Sequence, residues 1–158
     1  MLNEGDPAPD VTLQMMDGSM VPLSTLQRPL VVYFYPKDDT SGCTAEAKDF
    51  SALAAAFAAE GVALIGISRN SPKDHAKFTA KYELTVPLAT DADGSVTEAF
   101  GVWIQKSMYG RKYMGIERAT FLLDADGNIA KAWRKVSVPG HAAEVLDAAR
   151  ALKGNTPS

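Results

Sequence analysis

The chain has 158 residues, 46% hydrophobic and 22% charged, with a formal net charge of -3 and a sequence pI of about 5.3. That length suits one domain, residues 1–158, with a core built without disulfides or a structural metal, and the composition excludes a disordered chain. The acidic balance, with no basic block longer than "GRKY" around Arg111, argues against nucleic acid as a partner.

The N-terminal "MLNEGDPAPDVTL" has no basic segment followed by an apolar run, so no signal peptide is expected. No apolar stretch approaches the roughly 20 residues that a membrane span needs, so no membrane is expected as a partner and the cytoplasm is the expected location. "DVTLQM" and "VPLSTL" flank Asp17-Gly18 and read as a short hairpin. "PLVVYFYP", Pro29 to Pro36, is a continuous apolar run closed by prolines, as in a strand buried on both faces. A loop, Lys37 to Gly42, leads into "AEAKDFSALAAAFAAEG", which reads as one alanine-rich helix with Phe50, Leu53 and Phe57 at helical spacing, ended by Gly61.

"VALIGIS" gives a second buried strand. "SPKDHAKFTAKY" opens with Ser71 as N-cap and Pro72 at the first helical position. "SVTEAFGV" reads as a short helix. "GVWIQKSMYGRKYMGI", Gly101 to Ile116, reads as a loop, either packed on the surface or lining a pocket mouth with Trp103 and Tyr109. "RATFLLDADGNIAKAWR" predicts two strands around Asp126-Gly127, and "GHAAEVLDAARALKG" an amphipathic helix with Val145, Leu146, Ala149 and Leu152 on one side. Alternating units of this kind predict an α/β fold, a sheet with helices on both faces. The two "DADG" runs lack the ligand set of an EF-hand and read as turns.

Cys43 is the chain's one cysteine. It cannot form an internal disulfide, which excludes a disulfide scaffold and fits a reducing compartment. A lone cysteine is commonly a small buried apolar residue. Here Ser41, Gly42 and Thr44 are not the neighbours of a core strand, and the position falls where a buried strand passes into a helix. The first turn of a helix offers unpaired N–H groups and the positive end of a dipole, both of which favour thiolate. Thiolate is the nucleophilic form, and cysteines in such places have pKa values lowered from about 8.5 to about 3.5–7.5.

"PKDDTSGCT" matches the P-x-x-x-T-x-x-C motif of peroxiredoxins. With "GIERATFLLDADGNI", the stretch resembles the bacterioferritin comigratory protein, or peroxiredoxin Q, branch over about Gly5 to Leu152. The resemblance implies a thioredoxin-like fold with a peroxiredoxin N-terminal extension, a mixed central sheet flanked by helices. It also implies reduction of hydrogen peroxide and organic hydroperoxides. Cys43 matches the peroxidatic cysteine, Thr40 the threonine that contacts thiolate and peroxide, Pro36 the shielding proline, and Arg118 the arginine that completes the site. No cofactor or metal is called for, and members of the branch are often monomers.

Many members carry a resolving cysteine five residues after the first, where this chain has Lys48, and the later helix Ser71 to Lys81 has none. The cycle implied is therefore of the one-cysteine type, with an external thiol such as thioredoxin or glutaredoxin with glutathione. Arg118 could alternatively pair with Glu117 or Asp124, Thr40 or Ser41 could serve only as a helix cap, and Pro36 only as a strand terminator. A redox-sensing or thiol-signalling protein, or a scaffold with an inert cysteine, are the competing functions. His75, expected to face solvent, and His141, expected at a helix end, lack the signature of a cysteine-histidine hydrolase. The chain has no C-x-x-C pair, which argues against a disulfide oxidoreductase.

Overall fold

A computed structural model describes residues 2–154 of the 158. At its centre lies β3, Leu30–Phe34, all five residues of which are buried. It pairs parallel with β4, Ala63–Ser68, and antiparallel with β8, Ala119–Leu123. Beyond β4 come β5, Leu88–Thr90, then β1, Thr12–Met15, and β2, Met20–Pro22; beyond β8 comes β9, Ile129–Trp133. The order β2-β1-β5-β4-β3-β8-β9 makes one mixed seven-stranded sheet.

Side chains alternate across a strand, so β3 feeds two cores. Val31 and Tyr33 pack with Phe50 of α1 (Ser41–Ala52), Phe57 of α2 (Ala54–Ala59), Phe78 of α3 (Pro72–Tyr82) and Val145 of α5 (His141–Gly154). Val32 and Phe34 face the other way, onto Val96 of α4 (Ser95–Ala99), Phe100 and Phe121. Tyr33 stands opposite Gly66 in the β3–β4 register, and a Cβ there would lie 2.5 Å from Tyr33 Cζ. Glycine is the residue that lets this ring lie flat on the sheet.

The local signals in the sequence correspond to real elements. Ser71 Oγ accepts from the Asp74 N–H at 3.1 Å, and Pro72 opens α3. Gly18 and Gly127 take positive φ in their hairpin turns, at 88° and 84°. Gly61 follows α2 with φ 73°. In the "DADG" turns, Asp91 accepts from the N–H groups of Gly94, Val96 and Thr97, and Asp124 from those of Asp126 and Asn128.

Three expectations are corrected. The alanine-rich helix is two helices, broken at Leu53, although no glycine or proline marks the break. Ser51, in the last turn of α1, accepts the backbone N–H groups of Thr85 and Val86, so a distant segment docks where the helix ends. The stretch 101–116 is largely a hairpin, β6 (Trp103–Met108) and β7 (Arg111–Ile116), turning on Tyr109-Gly110. Both turn residues have positive φ, 52° and 80°, as a two-residue type I′ turn requires. Tyr109 sits at the tip, 98% exposed, while Trp103 lies at the other end of the hairpin, partly buried. The connection after β3 is also shorter than expected, because α1 already starts at Ser41.

Candidate active site

Cys43 is the third residue of α1, within the first turn, and is 1% exposed. Thr40 is the N-cap, yet its side chain makes no capping bond. Its hydroxyl donates instead to the Lys37 carbonyl, at 2.9 Å, which closes the connecting loop on itself. The N–H groups of the first helical turn are thereby left without a side-chain cap, close to the sulfur. Pro36, half-buried, begins the same loop.

Arg118 immediately precedes β8, which antiparallel pairing with β3 brings to the foot of α1. Its Nη2 lies 3.2 Å from Cys43 Sγ, and its Nη1 donates to Glu46 Oε1 at 2.6 Å. One planar fork therefore bridges sulfur and carboxylate. Glu46 follows Cys43 by three residues, a spacing that sets both on one face of a helix. Gly42 makes room: a Cβ there would meet Arg118 Nη2 at 3.2 Å. The sequence-level partners for Arg118 are otherwise engaged. Glu117 takes Arg134, at 2.6 Å, and Asp124 holds its own turn.

Electrostatics follow from burial. Burial pushes the Glu46 carboxyl up to about 7, against the pull of Arg118, and its Oε2 has no hydrogen-bond partner. Burial also works against the charge on Arg118, but Glu46 and Cys43 outweigh it and hold that group above its usual value. The site thus has a fixed cation beside sulfur and a carboxyl poised near neutrality behind it. Lys106 of β6 is near enough to feel Arg118 and Cys43, although burial is the main cause of its lowered pKa. It lines a cleft of about 320 Å³ that runs from Pro36 beneath the hairpin, past Trp103 and Tyr113. Arg69 lies against the Trp103 ring there, 3.4 Å from its centre.

Of the four residues singled out in the sequence, Arg118 and Cys43 are in direct contact, while Thr40 and Pro36 bound the loop that leads into the cysteine helix. Glu46 was missed, though its helical spacing from Cys43 in "CTAE" was readable. One histidine is corrected. His75 is fully buried on α3, facing Asp38 rather than solvent. His141 does start α5, but it too is buried, with Nε2 2.8 Å from the Thr120 hydroxyl. His141 has a lowered pKa, chiefly through burial.

Residues 4–132 match the AhpC/TSA family, and the chain belongs to that family of peroxiredoxins, which are thiol peroxidases. It is similar to the peroxiredoxin Bcp of Bacillus subtilis, with 46% identity over 143 residues, 90% of this chain and 91% of that one. It is 50% identical over 122 residues to the peroxiredoxin Bcp of Xanthomonas campestris, covering 77% and 76% of the two chains. The structure of the Xanthomonas campestris bacterioferritin comigratory protein, described for its alkyl peroxide reduction activity, superposes with a TM-score of 0.88 and 42% identity, over 96% of this chain and 99% of that one. The thioredoxin-like fold is shared with these structures. Among the described residues no helix is long and apolar enough to cross a membrane.

Proposed function

We propose that Cys43 is the peroxidatic cysteine of a one-cysteine peroxidase acting on hydrogen peroxide and organic hydroperoxides. The observation that carries this reading is the Arg118 Nη2 to Cys43 Sγ contact of 3.2 Å at a helix N-terminus. The thiolate attacks the distal oxygen of ROOH, an S–O bond forms as the O–O bond breaks, and the sulfur becomes a sulfenic acid while RO⁻ leaves and is protonated. Charge moves from sulfur to the leaving oxygen. A guanidinium and first-turn amides along that path stabilise the transition state more than the ground state. Thr40 supplies a hydroxyl to orient the peroxide, and Pro36, lacking an N–H, shields the thiolate from water.

These 158 residues hold one sulfhydryl, so the sulfenic acid condenses with an external thiol, releasing water. A second thiol attacks the mixed disulfide and returns Cys43 reduced. Thioredoxin, or glutaredoxin with glutathione, supplies such thiols in a reducing cytoplasm, and the enzyme acts as a single-domain monomer. The alkyl peroxide activity named for the Xanthomonas relative supports the organic hydroperoxide substrate. The test is stopped-flow oxidation by hydrogen peroxide and an alkyl hydroperoxide, beside Cys43→Ser, followed by a panel of thiols. Rapid oxidation absent from the variant, with recovery by a thiol, is the expected result. Oxidation that no thiol reverses would turn the reading toward a redox sensor; no oxidation would end it.

A further inference from the structure

The segment Pro36 to Thr40 carries the proline proposed to shield the thiolate at one end and the helix N-cap position at the other, and its middle is tied to α3. Asp39, at a left-handed φ of 60°, accepts from Lys81 Nζ at 2.8 Å and Tyr82 Oη at 2.6 Å. That outer tie is solvent-exposed and contributes little. The inner tie is different. Asp38 and His75 are buried, with His75 Nδ1 2.7 Å from Asp38 Oδ2. Tyr35 Oη donates to Asp38 Oδ1 at 2.6 Å, and the Asp38 N–H donates to Asn70 Oδ1 at 2.9 Å. Breaking a buried pair of this kind strands a charge, so this is the tie that governs the loop.

The hydrogen bonds also count protons. His75 Nε2 lies 3.0 Å from the Ala89 carbonyl, which only accepts, so Nε2 carries a hydrogen. The Tyr35 hydroxyl has given its one hydrogen to Asp38, so it turns a lone pair toward Nδ1, 3.2 Å away. The Asp38 carboxylate turns its other oxygen to the same nitrogen at the short separation of a charge-assisted bond. With Asp38 ionised, every group facing the ring is an acceptor, and both nitrogens donate. Asp74 and Lys77 line the cleft outside the pair but lie beyond these contacts.

We propose that Asp38 and His75 form a buried carboxylate–imidazolium latch that fastens the Pro36–Thr40 loop to α3, making both of them positioning residues for the reaction at Cys43. This rests on the reading of Cys43 as the thiol that attacks peroxide. A small displacement of a positioning loop lowers a reaction rate steeply, by about 10²-fold for 1 Å. Alkylation of the same sulfur by iodoacetamide needs no oriented peroxide and does not share that dependence.

The experiment has two arms. Imidazole ¹⁵N NMR of the reduced wild-type protein at neutral pH reports the ring directly: both nitrogens of His75 are expected to be protonated, and one bare nitrogen overturns the latch. In Asp38→Asn and His75→Gln, oxidation of Cys43 by hydrogen peroxide is expected to slow by about tenfold or more, with alkylation unchanged or faster. Oxidation rates within twofold of wild type overturn the latch, and so do oxidation and alkylation that fall together with loss of near-UV circular dichroism. A wild-type protein that does not react with peroxide overturns the parent reading and the latch with it. A reactive wild type with unaffected variants overturns the latch alone.

Discussion

Replacing Glu46 by glutamine isolates what a buried carboxyl does behind the Cys43 sulfur. Glutamine keeps the size of the side chain and an oxygen to accept from Arg118 Nη1, but it cannot ionise. In the folded wild type burial pushes the carboxyl up to about 7, from 4.5 for the free group. Below the lower value both folded and unfolded chains hold the proton, and nothing differs. Between the two, the folded chain keeps a proton that the unfolded chain has released, so stability falls as pH rises. Above about pH 7 the loss is complete and the curve levels. A window of about 2.5 pH units, at about 1.4 kcal/mol each, gives a loss of about 3 kcal/mol. Glutamine has no such window. His141, which titrates in the opposite sense, is present in both proteins and cancels in the difference. Urea unfolding at several pH values from 4.5 to 8 is therefore expected to show the wild-type advantage over Glu46→Gln shrinking by about 3 kcal/mol as pH rises. Parallel stability curves for the two proteins would refute the placement of a neutral carboxyl in this site.

Other substitutions probe neighbouring parts of the same arrangement. Arg118→Ala removes the donor at the sulfur and is expected to slow Cys43 oxidation by about 10²–10³-fold in stopped flow; a rate within twofold of wild type would count against the transition-state role. Arg118→Lys should recover only part of it, because an ammonium cannot bridge Sγ and Glu46 as the fork does. Gly66→Ala forces a methyl group against Tyr33 in the core, and calorimetry should show destabilisation of about 1–3 kcal/mol; an unchanged melting temperature contradicts the packing described. With no resolving thiol in the chain, Cys43 is expected to pass to sulfinic acid under excess peroxide when reductant is scarce. Intact mass settles it, since a product that stops at one added oxygen speaks for rapid protection of the sulfenic acid.

Signals that act over a few residues were readable from the chain alone. Ser71 and Pro72 start a helix because a hydroxyl and a fixed φ satisfy its first turn locally. Asp-Gly marks two hairpins because glycine takes the positive φ the turns need. The run from Leu30 to Phe34 announces a strand buried on both faces, and the thiol stands where that strand passes into a helix. What the chain alone could not settle depends on partners distant in sequence. Arg118 chooses Glu46, 72 residues away, over its neighbour Glu117, because antiparallel pairing of β8 with β3 carries it to the foot of α1. His75 stands among charged residues in the sequence yet lies in the interior, since Asp38 and the Ala89 carbonyl arrive from two other elements to satisfy it. The hairpin at 103–116 turns on Tyr109, a residue that seldom adopts positive φ, so its local signal was weak. Hydrogen bonds and charges across the fold are chosen by which elements the sheet brings together, and that choice belongs to the tertiary structure.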